Sequence, residues 1–94
     1  MPATFVVQYS YVSDILDRRQ PYRAEHLGRI TAAASDGRVL LSGALADPVD
    51  GAVLVFRADG RAQVEEWVRA DPYHVAGLIT DFTVREITLV VPTA

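Results

Sequence analysis

The chain has 94 residues, half of them hydrophobic, with a formal net charge of −3, a pI near 5.2 and no cysteine. That size suits one globular domain, residues 1–94, with little core to spare, and the missing cysteines exclude disulfides, thiolate nucleophiles and thiolate metal sites. Nine basic residues scattered from Arg18 to Arg85 form no dense cationic run for nucleic acid, and no apolar run is long enough to span a bilayer.

The N-terminus "MPATFVVQY" lacks a basic region followed by an apolar one, so a cytoplasmic location is expected. Thr4 to Tyr11 is rich in β-branched and aromatic residues, with Phe5, Val7, Tyr9 and Tyr11 on one face in period two, which predicts a first strand. "VSDILDRRQ" reads as a loop with a turn of helix. Pro21 then stands at a first helical position, and Leu27, Ile30 and Ala34 fall at helical spacing before Gly37 as the stop.

Arg38–Ala46 and Ala52–Phe56 read as strands joined through "DPVDG", whose residues favour bends. Asp59 is the expected cap of a second helix running to Ala70, with Val64, Trp67 and Val68 as its apolar stripe. A last strand is expected within Asp81–Val91. The order β-α-β-β-α-β is the ferredoxin-like α+β plan with an antiparallel sheet.

In such a two-layer domain the sheet face away from the helices should be polar. Here Val53 and Val55 alternate with Leu54 and Phe56, Val39 and Leu41 with Leu40, and Val84 and Val90 with Ile87 and Leu89. Sheets apolar on both faces need a cover on both. A second copy, sheet against sheet, supplies it, so a homodimer is expected.

The same topology carries the start of the first long helix, the end of the second and the hairpin turn to one end of the molecule. His26 and Asp71 therefore meet at one rim, with Tyr22 and Arg23 one turn before His26 and Gly43 leaving space nearby. A histidine held by a carboxylate can act as a general base, because the carboxylate fixes its tautomer and stabilises the imidazolium formed. No serine sits in a nucleophile motif, so proton transfer or elimination fits better than acyl transfer.

Each residue also has a structural alternative. Asp71 before Pro72 is a natural cap for a short turn, "PYHVA", closed by Gly77; one carboxylate oxygen can cap while the other meets a histidine. His26 alone could be a boundary residue, His74 a surface or interface residue, and Tyr73 and Trp67 core. Arg23 is either solvated or a bidentate partner for a substrate carboxylate. His26, Asp71 and His74 form a weak metal-ligand set, with no compact spacing such as HxxxH, and no metal or cofactor is expected; no GxGxxG or P-loop pattern occurs.

"RAEHLGRI" (Arg23–Ile30), "GRVLLSGAL" (Gly37–Leu45) and "ADPYHVAGLITDFTVREI" (Ala70–Ile87) together resemble the YciI-like, or YCII-related, domain family. The pattern is R-x-x-H-L at a helix start, G-x-x-x-x-x-G through a strand, and D-P-Y/F-x-x-A-G. The resemblance implies a dimeric α+β barrel, two ferredoxin-like subunits packed sheet to sheet. It further implies a site around His26 and Asp71, with Arg23 and Tyr73 also on the pattern; His74 is a further candidate for binding substrate.

Most members of that family have no established reaction. Some relatives look like lyases or dehydrochlorinases acting on chlorinated hydroxyquinol-type compounds, and wider kin include muconolactone isomerases and cofactor-independent monooxygenases. Two departures stand out: Ala44 follows Gly43 where the family often has Gly-Pro after that region, and residues 13–20, a candidate lid, have no fixed counterpart. The leading expectation is a cofactor-independent isomerase or lyase acting on a small anionic or phenolic compound. A non-catalytic ligand-binding or accessory dimer is the alternative, and a purely structural dimer the third.

Overall fold

The computed structural model describes residues 2–92. Its elements are strand β1 (Ala3–Tyr11), one-turn helix α1 (Ile15–Arg18), a 3-10 turn at Gln20–Tyr22, helix α2 (Arg23–Ser35), strands β2 (Val39–Ala44) and β3 (Gly51–Ala58), helix α3 (Arg61–Arg69), one-turn helix α4 (Pro72–Val75) and strand β4 (Ile79–Ile87). The four strands form one sheet in the order β2-β3-β1-β4, every neighbouring pair antiparallel. This is the ferredoxin-like α+β arrangement.

Period two decides which side chains meet the helices. Phe5, Val7 and Tyr9 of β1, Leu54 and Phe56 of β3 and Val84 of β4 are buried against Val64 and Val68 of α3 and Ala33 of α2. Each large apolar side chain removed from water in this way contributes about 1.5–3 kcal/mol. The resulting layer holds both long helices on one face of the sheet and aligns the late residues of β1 with the start of α2.

The phase of α2 keeps Ile30 partly buried against the core but not Leu27 or Ala34. His26 and Ala33 are buried, while Leu27 is 42% exposed and Ala34 is exposed. The helix is thus turned by less than the roughly 100° of one residue from a Leu27–Ile30–Ala34 stripe, enough to bring in His26 and Ala33 while Ile30 stays against the core. The physical cause is Asp71, which is fully buried. A buried carboxylate without donors costs more than burial of one leucine gains, so the helix presents its histidine.

Three further expectations are corrected. Asp59 does not cap α3: Gly60 occupies the N-cap, and the Asp59 backbone N–H instead donates to the Gln63 side chain at 3.0 Å. The last strand ends at Ile87, so Leu89 and Val90 lie beyond it. In consequence the outer face of the sheet is mixed. Val6, Leu41, Val53, Val55 and Ile87 form its apolar part, whereas Asp81, Thr83 and Arg85 of β4 stand opposite Ser10, Gln8 and Val6.

Candidate active site

The corner after α3 is built locally. Asp71 has an extended backbone and accepts the Tyr73 N–H at 2.8 Å through Oδ1, while Pro72 starts the turn and needs no donor of its own. Gly77, at φ 76, closes it with a left-handed residue, and the Leu78 N–H then returns to the Tyr73 carbonyl at 2.8 Å. One turn of helix separates consecutive side chains by about 100°, so Tyr73 points inward and its neighbour His74 points aside.

His26 and Asp71, 45 positions apart, form a buried contact in which Nδ1 lies 2.8 Å from each carboxylate oxygen. A carboxylate offers only acceptors, and therefore Nδ1 carries the proton and donates. Nε2 has no hydrogen-bond partner among the described residues. The Tyr73 ring lies flat on the imidazole, with centroids 3.7 Å apart and planes within 5°. This stacking holds the ring edge-on to Asp71 and limits rotation of the base.

Arg29, one turn after His26, was not singled out by its sequence pattern. Its Nη1 lies 4.0 Å from Asp71 Oδ2, its Nη2 donates to the Trp67 carbonyl at 2.9 Å, and the guanidinium covers the Trp67 ring at 4.5 Å. Asp71 is thereby surrounded by a histidine, a cation and a backbone N–H. The available signal was its i+3 spacing from His26 on the same helix face.

His26 opens onto a cavity of about 240 Å³ between the start of α2, the late residues of β1 and β2, and the early residues of β3. Arg23 and Tyr73 line it, as does Gly43. So do Tyr9, Tyr11 and Arg19, three residues that the sequence patterns had not connected with the site. Among the described residues neither Arg19 nor Arg23 forms an ion pair. No carboxylate is among the residues of the cavity wall, and Asp71 behind His26 is already engaged, so the wall carries positive charge from Arg19 and Arg23.

Burial raises the pKa of Tyr9 above the usual phenol range, and the Asp71 charge and Tyr11 raise it further while Arg29 opposes. Tyr11 is raised by burial, then by Tyr73 and Asp71, with Arg19 opposing. Tyr73 is raised by burial against the lowering effect of Arg19 and Arg23, with Asp71 adding to the rise. All three are therefore neutral hydroxyls at physiological pH.

His74 does not join this group. It sits edge-on to Phe82 of β4, with centroids 5.8 Å apart, and is absent from the cavity wall. The candidate set thus contracts to His26, Asp71, Arg23 and Tyr73. Among the described residues no group of three histidine, cysteine or carboxylate side chains is disposed to hold a metal ion. A larger recess of about 400 Å³, lined by Arg38, Phe56, Arg57 and Trp67 among others, contains no histidine. Its size alone supplies no acid–base chemistry.

A YCII-related domain matches residues 3–88. The chain belongs to the YCII-related domain family. No curated protein matches it. Among solved structures, a 5-chloro-2-hydroxyhydroquinone dehydrochlorinase from Burkholderia phenoliruptrix, in complex with 2,5-dihydroxybenzoquinone, superposes with a TM-score of 0.78 at 20% identity, over 90% of this chain and 93% of that one. A NIPSNAP family protein from Agrobacterium tumefaciens gives 0.63 at 12% identity, over 99% and 97%. Ribosomal protein S6 from Thermotoga maritima gives 0.53 at 14% identity, over 93% and 89%. At these identities the likeness is one of fold, and the breadth of proteins sharing it illustrates that YCII chemistry must be argued from side chains.

Proposed function

We propose that this YCII-related protein is a cofactor-independent enzyme, an isomerase or a lyase of the dehydrochlorinase type, acting on a small anionic or phenolic ring compound. The observation that carries the reading is the His26–Asp71 contact: Nδ1–H is held at 2.8 Å by a fully buried carboxylate, and the free Nε2 belongs to a residue lining the cavity. His26 is the general base, and Asp71 fixes its tautomer and stabilises the imidazolium. Arg23 binds the anionic group of the substrate, and Tyr73 supports the imidazole and forms one wall.

The chemistry needs only proton movement. Nε2 takes a proton from a ring hydroxyl and the imidazolium returns it to a ring carbon, which shifts a double bond; where that carbon bears chlorine, loss of a second hydroxyl proton then expels chloride and leaves a quinone. The binding of 2,5-dihydroxybenzoquinone by the dehydrochlorinase of the same fold supports a ring of this size and oxygen content. The protein is further proposed to act as a homodimer through the apolar part of its outer sheet face.

The test is chloride release from 5-chloro-2-hydroxyhydroquinone, with direct binding of 2,5-dihydroxybenzoquinone measured in parallel. Turnover by the wild type that falls by about 10³-fold or more in a folded His26→Gln variant is the expected result, in keeping with the contribution of a triad-type base. Binding with no turnover would favour a ligand-binding module. Turnover retained in a folded His26→Gln protein would exclude His26 as the base.

A further inference from the structure

Among the described residues, three buried side-chain polar atoms lack a hydrogen-bond partner: the Tyr9 hydroxyl, Arg19 Nε and Arg29 Nη1. Asp71 faces Arg29 Nη1 at 4.0 Å, so that cation has a counter-charge even without a hydrogen bond. The other two belong to residues of the same cavity wall, the one that His26 lines. Their coincidence there is the observation to explain.

Tyr9 is 3% exposed and packs within the hydrophobic core. Leaving a buried hydroxyl unsatisfied costs about 1–3 kcal/mol, and phenylalanine would avoid that cost. The strand accommodates phenylalanine on this face, since Phe5 is buried on the same side of β1, and the β4 residue paired with Tyr9 is itself Phe82. Packing therefore explains the ring of Tyr9 but not its oxygen.

The neighbouring groups define what the oxygen lacks. Asp71 already accepts from His26 and from the Tyr73 N–H. Arg19 and Arg23 are donors with no lone pair to offer, and among the described residues no acceptor lies within hydrogen-bond distance of the Tyr9 hydroxyl. The phenol stays protonated because burial and the Asp71 charge both disfavour its anion. Tyr9 is consequently a donor in want of an acceptor, and Arg19 Nε is a second.

We propose that Tyr9 is a catalytic residue whose hydroxyl donates a hydrogen bond to the substrate oxygen that gains negative charge as His26 Nε2 removes a proton, a role that rests on the acid–base reading of the cavity. In that step a substrate O–H or C–H bond breaks and an N–H bond forms on the imidazole. The electron pair settles on the substrate oxygen as a phenolate or enolate. Tyr9 keeps its own proton throughout, so no further reactant is required. A fixed donor at the place where charge develops needs little reorganisation during reaction.

The experiment is calorimetric titration of 2,5-dihydroxybenzoquinone into the wild type, Tyr9→Phe and, as a control outside the cavity, Tyr22→Phe, with urea unfolding of each protein in the absence of the quinone. Loss of a hydrogen bond to a charged oxygen should raise the Kd of Tyr9→Phe about 10- to 100-fold, leave Tyr22→Phe unchanged, and leave the urea midpoint of Tyr9→Phe equal to or above that of the wild type. Equal quinone affinity in Tyr9→Phe and wild type would overturn the role. If the wild type itself does not bind the quinone, the proposed substrate class fails, and the urea midpoints then decide on Tyr9. A lower midpoint for Tyr9→Phe would show that the hydroxyl has an internal partner and would also overturn the role; an equal or higher one keeps the hydroxyl as a donor without an internal partner.

Discussion

Replacing Asp71 by Asn tests the site through its geometry. The Tyr73 N–H fixes the amide, because it must meet an acceptor and already meets Oδ1 at 2.8 Å. The new NH₂ group then takes the place of Oδ2, 2.8 Å from His26 Nδ1 and 4.0 Å from Arg29 Nη1. The amide then sets an acceptor and a donor both 2.8 Å from Nδ1, so the carboxylate's hold on an Nδ1 proton is lost and the Nε2–H tautomer, which accepts from the new NH₂ group, becomes populated. Stability should fall only modestly. A charge-assisted bond is exchanged for a neutral one, a difference of about 1–1.5 kcal/mol, while loss of the Arg29 attraction is largely offset by no longer burying a carboxylate.

Asp71→Ala also removes the cap and leaves the Tyr73 N–H and His26 without an acceptor, for a total of about 3–5 kcal/mol. With a denaturant dependence of about 1 kcal/mol per molar urea for a chain of this size, the midpoint should drop by roughly 1 M for the amide and by several molar for the alanine variant. Imidazole nitrogen NMR reads the tautomer directly. Turnover should fall by about 10⁴-fold in Asp71→Asn even though the fold survives, as expected for a base held in the wrong tautomer. A His26 that keeps its Nδ1 proton in Asp71→Asn, with turnover unaffected, would refute the coupling of tautomer to the carboxylate.

Alkaline titration tests the phenols around the cavity. The raised pKa of Tyr9 means that the folded protein keeps this proton while the unfolded phenol ionises near pH 10; stability is complete below that value and declines above it, by about 1.4 kcal/mol per pH unit for this group. Ultraviolet titration should show Tyr9 and Tyr11 resisting ionisation until the protein unfolds, and ionisation of all four tyrosines near pH 10 in the folded state would contradict their burial. For the proposed dimer, Val55→Asp places a charge at the centre of the apolar part of the outer face, so sedimentation should show a dimer for wild type and a monomer for the variant. A wild type that sediments as a monomer at micromolar concentration would remove the dimer.

Much of this architecture was legible in the chain because its signals are local. Period two in β1 and β3, a Pro at the start of a turn, Gly37 and Gly77 after helices and Asp71 before Pro72 each act within a few residues, and each recurs in the folded protein. Element order then placed the start of α2 and the corner after α3 at one end, which is how His26 and Asp71 could be paired across 45 positions. The failures were also local rules overridden from a distance. Leu27 yields the buried face of α2 to His26 because a buried carboxylate needs donors, and Gly60 rather than Asp59 caps α3.

The sequence by itself determined the elements, their order and the chemistry available at two positions, since backbone preference and alternation are properties of neighbouring residues. Only the tertiary structure decided which side chains share the cavity. The direction of a side chain depends on how an element is rotated against others, and that rotation is set by satisfying buried polar groups across the whole fold. Hence Arg29 is drawn to Asp71, Tyr9 comes to share the cavity wall with His26, and His74 turns away to Phe82 although it is next to Tyr73 in the chain.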